Sequence, residues 1–203
     1  MRRLLVSQFM TLDGVVQAPG GPTEDDSGGF AFGGWSFPHW DDRMDQAMSA
    51  TMGHPFDLLL GRRTYDIFAA FWPGAPEEAG GKPLNDATKY VASRGRPELT
   101  WERSVLLEGD VAEAVAELKR GEGPELQVHG SGDLIQTLLR AGLIDEFRLW
   151  TFPVVLGSGK RLFADGTIPS QLKLTESAVS TTGVVLGTYV PAGAVTTGSF
   201  APE

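Results

Sequence analysis

The chain opens on an apolar run over residues 4–9 that predicts a buried strand. Small and polar residues then dominate 13–38, a Gly/Pro-rich stretch whose centre, Thr23-Glu24-Asp25-Asp26-Ser27, reads as an exposed loop. Its second half carries Phe30, Phe32, Trp35 and Phe37, so the loop is expected to pack on the body of the protein. Loops this long are commonly functional. Met44, Ala47, Met48 and Thr51 recur at helical spacing and predict a helix over 41–52, stopped by Gly53. A strand over 56–60 ends at Gly61, and a short helix is expected from Thr64 to just before Pro73. Residues 89–93 and 104–107 read as strands. Asp110 and Glu113 give a capping-box-like start to a helix over 110–120, with Val111, Ala114, Val115 and Leu118 on one face and Gly121 at its end. A strand over 126–129 is turned by Gly130-Ser131-Gly132 into a helix over 133–140. A strand over 147–153 follows, then two strands over 172–180 and 184–190 joined by a tight turn at Gly183.

This pattern amounts to about eight strands and four helices in near alternation. It predicts an α/β fold: a mixed sheet with parallel pairs, flanked by helices, ending in an antiparallel hairpin. With 203 residues, one domain over 1–191 is expected, followed by a small, polar, disordered tail over 192–203.

Composition narrows the function classes. There is no cysteine, which excludes disulfides and thiolate metal sites. His39, His54 and His129 are widely spaced and show no ligand pattern, so no metal is expected. A net charge of −9 and a pI of about 4.8 argue against nucleic acid and anionic membrane surfaces as partners. The first apolar run is too short for a signal peptide, and no stretch reaches the roughly 20 apolar residues of a membrane span. A cytoplasmic location is expected.

Four short units could carry chemistry. In Val128-His129-Gly130-Ser131-Gly132-Asp133 a strand runs through small residues into a helix. Such a turn offers backbone N–H groups and the positive end of a helix dipole to a phosphate. The same glycines also suit a plain tight connection. Ile135 stands where a dinucleotide fingerprint needs its third Gly, and His129 where a nucleophile elbow needs its first. Gly157-Ser158-Gly159-Lys160 lacks a P-loop's first Gly, where Val154 stands, and its Ser/Thr, where Arg161 stands. In Leu60-Gly61-Arg62-Arg63-Thr64-Tyr65 a basic pair lies between a strand and a helix. An Arg there can fork onto a phosphate while Thr64 caps the helix, or the pair can balance surface acids. Ser93-Arg94 ends a strand with a hydroxyl and a guanidinium, and Thr11-Leu12-Asp13-Gly14 is a turn signal after the first strand. Asp41, Asp42 and Asp45 fall in the first turns of a helix, where the dipole favours acids. His129 beside the glycines reads as a buried, hydrogen-bonded histidine.

Taken in order, these units resemble the dihydrofolate-reductase-like superfamily. Within it they resemble the reductase domain of riboflavin biosynthesis, the C-terminal domain of the bifunctional deaminase-reductase, and its stand-alone relatives. Leu143-Ile144-Asp145-Glu146-Phe147, Pro153-Val154-Val155-Leu156-Gly157-Ser158-Gly159 and Leu162-Phe163 extend the match over about residues 2–190. The resemblance implies an eight-stranded mixed sheet with NADPH across its C-terminal edge. Gly61, Arg62 and Thr64 would hold phosphates, and Ser93 and Arg94 would sit by the adenosine end and 2′-phosphate. Gly130, Ser131, Gly132 and Asp133 would cradle the pyrophosphate, and Thr11, Asp13 and Gly14 would lie near the nicotinamide. The loop over 18–35 would border a small-molecule substrate. Asp45 falls where a dihydrofolate reductase keeps its acidic residue, and is the candidate catalytic group. The resemblance also implies a homodimer, for which the terminal hairpin and the strand bearing Trp150 and Phe152 could supply an apolar interface, unless these aromatics belong to the core. The expected function is NADPH-dependent hydride transfer to a small, pterin- or pyrimidine-like substrate. The rivals are a non-catalytic dinucleotide-sensing module, a hydrolase using Ser131 and His129, and a structural protein whose pocket binds no nucleotide.

Overall fold

The computed structural model describes residues 1–76 and 79–200. Its strands are β1 (Leu4–Thr11), β2 (Phe56–Gly61), β3 (Lys89–Ala92), β4 (Ser104–Leu106), β5 (Glu125–His129), β6 (Glu146–Phe152), β7 (Leu172–Val179) and β8 (Val185–Pro191). They form one sheet in the order β4-β3-β2-β5-β1-β6-β8-β7. β1 to β6 are parallel, and β8 runs antiparallel to both β6 and β7. The helices are α1 (Asp42–Met52), α2 (Arg62–Phe71), α3 (Lys82–Asp86), α4 (Val111–Arg120) and α5 (Gly132–Arg140). The expected mixed sheet flanked by helices is present, and the strands lie within two residues of their expected limits.

Side-chain alternation divides the core. On one face Leu4, Val6, Leu59, Leu126, Val128, Phe147 and Leu149 form a continuous cluster with Val115 of α4 and Leu134, Ile135 and Leu138 of α5. The other face holds two separate clusters. One gathers Trp150, Phe152 and Leu186 with Met44 of α1 and the loop residues Val15, Phe30 and Trp35. The other gathers Phe56, Leu58, Leu60 and Val91 with Tyr65 of α2 and Leu84 of α3. β2, an almost unbroken apolar run, is buried nearly throughout because helices cover both its faces.

Three expectations are corrected. α2 starts at Arg62, immediately after Gly61, so Thr64 lies inside the helix and does not cap it; Gly61 takes the cap position without a side-chain bond. α3 was not expected, because a single turn opened by Pro83 is too short to show a period. Trp150 and Phe152, suggested as interface residues, are core: Phe152 is fully buried and Trp150 stacks on Phe9 at 5.1 Å.

The acid-rich start of α1 behaves as helix chemistry predicts. Asp41 is the cap, taking the Met44 N–H at 3.0 Å and the Thr181 hydroxyl at 2.6 Å. The Thr181 hydroxyl is the main reason that its carboxyl is held down to about 2, despite some opposing desolvation. In α4, Asp110 likewise accepts from the Glu113 N–H at 3.0 Å. Beyond β8, residues 192–200 form no helix or strand, yet Ala192 and Gly193 bond the backbone of Gln171. The end of the expected tail, 201–203, lies outside the described residues. No helix among the described residues is long and apolar enough to cross a membrane.

Candidate active site

Parallel strands deliver their C-terminal ends to one edge of the sheet, and the order β3-β2-β5-β1 makes the four candidate units neighbours there. Ser93 and Arg94 follow β3; Gly61 ends β2, with Arg62 and Thr64 opening α2; Gly130 and Ser131 follow β5, with Gly132 and Asp133 opening α5; Thr11 ends β1, with Asp13 and Gly14 beyond it. Residues from Thr11 to Asp133, 122 positions apart in sequence, thus form one rim.

The centre of the rim is a knot between β2 and β5. The Gly61 N–H donates to Ser131 Oγ at 2.8 Å, and the Ser131 hydroxyl donates to Thr64 Oγ1 at 2.9 Å. A Cβ on Gly61 would sit 3.2 Å from the Ser131 side chain, and one on Gly130 3.2 Å from Thr64. Gly130 has φ +68° and Ser131 φ +69°, so a non-glycine residue holds left-handed backbone at the mouth of α5. Both glycines therefore answer to a close approach, and Gly132, with nothing within 4 Å of its Cβ position, leaves open space. Gly130→Ala is expected to cost about 1–2 kcal/mol in urea denaturation, from the left-handed backbone and the Thr64 contact together.

The outer members differ in how far they are engaged. Arg94 is exposed and makes no ion pair or hydrogen bond among the described residues. Arg62 already shares its Nε–H between both Asp66 oxygens, each at 2.7 Å. Asp13 is committed to the rim's own structure. It accepts from the Thr11 hydroxyl at 2.6 Å, the Gly157 N–H at 2.8 Å and the Leu156 N–H at 3.2 Å. The Thr11 bond and these backbone bonds outweigh desolvation and bring its carboxyl down to about 2. The Gly14 N–H closes the turn onto the Thr11 carbonyl at 2.9 Å.

The Gly-rich loop is pinned over the same edge. Gln17 Nε2 donates to the carbonyls of Asp25 and Ser27, and Lys160 Nζ reaches Asp25 at 2.5 Å and Ser27 Oγ at 2.8 Å. Arg63 donates to Ser27 Oγ at 3.1 Å. Phe30 and Trp35 anchor the loop in the core while Phe32 and Phe37 stay exposed. Between loop and α2 runs an open groove of about 490 Å³, lined by Asp25, Ser27, Arg62, Arg63, Asp66 and Ile67 among others.

Asp45 lies on the exposed side of α1, where its Oδ1 accepts the Trp40 indole N–H at 2.6 Å. Trp40 leans on Phe9 and Trp150, with centroids 5.7 and 5.8 Å away, and the three rings wall one side of the sheet face. Next to them lies a feature the motif reading passed over. Glu125, Gln127 and His129 put three polar side chains from β5 between the two apolar clusters of that face. The alternation of Leu126 and Val128 with these residues was its visible signal. His129 is hydrogen-bonded, as expected, with Nε2 2.9 Å from Gln127 Oε1, but it is half-buried where a buried residue was expected. Burial first, and the Arg148 charge second, bring its pKa down to about 4. Ser131 and His129 make no bond to each other, which removes the arrangement a hydrolase would need. No cluster of three or more His, Asp or Glu among the described residues could hold a metal ion.

The depressed His129 pKa carries a pH dependence. An unfolded histidine takes up its proton near pH 6.5, whereas the folded one resists until about pH 4. Stability is therefore expected to fall as pH drops through that window, by about 2 kcal/mol between pH 6.5 and 5. Urea denaturation at both pH values should show this loss in the native chain and not in His129→Asn.

The sheet order and rim define a dihydrofolate-reductase-like fold. The solved structures agree: dihydrofolate reductase from Enterococcus faecalis, complexed with NADP(H) and RAB-propyl, superposes with a TM-score of 0.57 at 16% identity, over 93% of this chain and 96% of its own. A protein from Shewanella sp. PV-4 described as belonging to riboflavin biosynthesis superposes with a TM-score of 0.72 at 22% identity, over 94% and 99%. Residues 2–186 match the family model of the RibD C-terminal domain, and the chain belongs to that family. It is also 29% identical over 194 residues to YyaP, an uncharacterised protein of Bacillus subtilis strain 168, covering 93% of this chain and 94% of the relative. Family and fold place it among reductase-type proteins.

Proposed function

We propose that the chain is an NADPH-dependent reductase that passes a hydride to a small, pterin- or pyrimidine-like substrate. The observation that carries this reading is the rim itself: four strand ends side by side, a glycine cradle at the centre and an uncommitted arginine at one end. The cradle fits a dinucleotide at Gly132, where nothing lies within 4 Å of a Cβ position at the mouth of α5. The α5 first turn and the Gly130–Asp133 backbone would hold the pyrophosphate, with Gly61, Arg62 and Thr64 beside it. Ser93 and Arg94 would take the adenosine end and its 2′-phosphate. Thr11, Asp13 and Gly14, braced by Leu156 and Gly157, would border the nicotinamide.

NADPH supplies the hydride when bound; this chain's residues orient the partners and exclude water. The loop over 18–35, anchored by Trp35 and latched by Lys160, covers the edge. The Trp40-Phe9 wall gives a planar substrate a surface to stack on, and Asp45 stands beside that wall as its nearest candidate acid. His129, neutral at pH 7, is not the proton donor. The reading includes a homodimer. Its interface would use the exposed Leu174, Val179 and Val185 of the hairpin in place of the buried Trp150 and Phe152.

Titration with NADPH and NADH, followed by nicotinamide fluorescence, tests the reading. Binding that favours NADPH, with oxidation on adding a pterin or pyrimidine substrate, is the expected result. Tight binding with no turnover across a broad substrate panel would favour a sensing module, and no binding would reject both.

A further inference from the structure

The polar face of β5 contains a hydrogen-bond chain whose directions can be deduced. A carboxylate only accepts, so the Gln127 atom facing Glu125 Oε1 at 2.7 Å must be the amide nitrogen. The Gln127 carbonyl oxygen then faces His129 Nε2 at 2.9 Å, and an oxygen in that position requires a proton on Nε2. The other ring nitrogen, Nδ1, has no hydrogen-bond partner among the described residues, and the residue is only half-buried.

The neighbours of His129 on this face explain why the ring stays neutral. Ser7 of β1 pairs with both His129 and Arg148 in the sheet register, so the three share one row. Arg148 is held by Glu146 at 2.7 Å, which also takes Arg3 at 2.5 Å. The guanidinium is thus fixed in the row with His129, and its charge adds to burial in opposing a second ring proton. The Ser7 hydroxyl also makes no hydrogen bond among the described residues. Two uncommitted polar groups, a bare acceptor and a hydroxyl, therefore lie side by side between the Phe9-Trp40-Trp150 wall and the α2 cluster.

We propose that His129 is locked as its Nε2–H tautomer and offers Nδ1 as a hydrogen-bond acceptor on the polar face of β5, with Ser7 of β1 beside it. The site thereby selects a planar substrate bearing a lactam-type edge, an N–H donor next to a carbonyl. The Nδ1 lone pair takes the N–H, and the Ser7 hydroxyl donates to the carbonyl. A ring methylated on that nitrogen leaves Nδ1 unpaired and is rejected. This assignment rests on the reading of that polar sheet face as the substrate side of an NADPH-binding protein.

The test uses the intact chain labelled with ¹⁵N-histidine. Long-range ¹H–¹⁵N spectra at pH 7 are expected to show a protonated Nε2 and an unprotonated Nδ1 for His129, assigned by its loss in His129→Val. A protonated Nδ1 would overturn the proposal without any ligand present. With NADPH bound, uracil and pterin are expected to move the Nδ1 resonance, and 1,3-dimethyluracil is not. Uracil is expected to bind about 10-fold more tightly than its dimethyl analogue, a preference that His129→Val abolishes while NADPH affinity stays unchanged. Equal affinities, no response to either donor compound, or a response of Nδ1 to NADPH alone would each overturn it, the last assigning the donor to the cofactor's carboxamide. Failure of NADPH to bind would sink the reductase reading while leaving the tautomer measurement to stand or fall by itself.

Discussion

Replacing Arg94 with alanine is expected to weaken NADPH binding by about 10- to 100-fold, the worth of a charge-assisted hydrogen bond pair, and to leave NADH binding unchanged. The argument is one of availability. Arg94 sits just past the end of β3, exposed and without an ion pair among the described residues, so a phosphate there displaces no internal partner. Arg62 makes the informative contrast. Its Nε–H already donates to both Asp66 oxygens, an interaction that would have to be shared or broken. Arg62→Ala is accordingly expected to weaken NADPH by no more than about 5-fold, or roughly 1 kcal/mol. Parallel fluorescence titrations of the two variants with both nucleotides decide the matter. Equal losses for NADPH and NADH in Arg94→Ala would remove Arg94 from the 2′-phosphate site.

Asp57→Ala is expected to cost about 3–5 kcal/mol of stability, the usual penalty for stranding one member of a buried ion pair. Asp57 interrupts the apolar run of β2 because it holds Arg2, whose side chain is only 4% exposed. Arg2 also donates to the Pro124 carbonyl at 2.7 Å and lies over the Tyr90 ring, while Asp57 accepts the Thr88 N–H at 3.1 Å. The alanine variant leaves a buried guanidinium without its counter-charge, and the melting temperature is expected to fall by about 6–20 °C. The double variant Arg2→Leu/Asp57→Leu removes both charges and is expected to recover most of the loss. This clamp joins the starts of β1 and β2, at the edge opposite the rim. NADPH affinity of the folded Asp57→Ala protein should therefore be unchanged, and calorimetric melting with nucleotide titration at low temperature separates the two effects.

Much of this architecture was legible because it is written in local periodicity. Alternating and continuous apolar runs marked the eight strands, the helical spacing of Met44, Ala47, Met48 and Thr51 marked α1, and the capping acid Asp110 marked the start of α4. α3 was not legible, since one turn has no period to read. The start of α2 was misplaced for a similar reason: Gly61 caps it without any side-chain signal, whereas Thr64 looks like a cap and is instead drawn into a bond with Ser131, 67 positions away. The site divides along the same line. The sequence determined which units exist: a Gly-Ser-Gly turn into a helix, an Arg pair after a strand, a Ser-Arg strand end and an Asp-Gly turn. It also determined their chemistry, because side-chain type and glycine backbone freedom are local properties. Only the tertiary structure decided which of them are free to act. Strand order put the four units on one edge, Asp66 engaged Arg62 and left Arg94 open, and the Leu156-Gly157 backbone consumed Asp13. The row of Ser7, His129 and Arg148 likewise exists only through the register of three strands distant in sequence. Their hydrogen-bond partners are set by packing, and no local pattern encodes that.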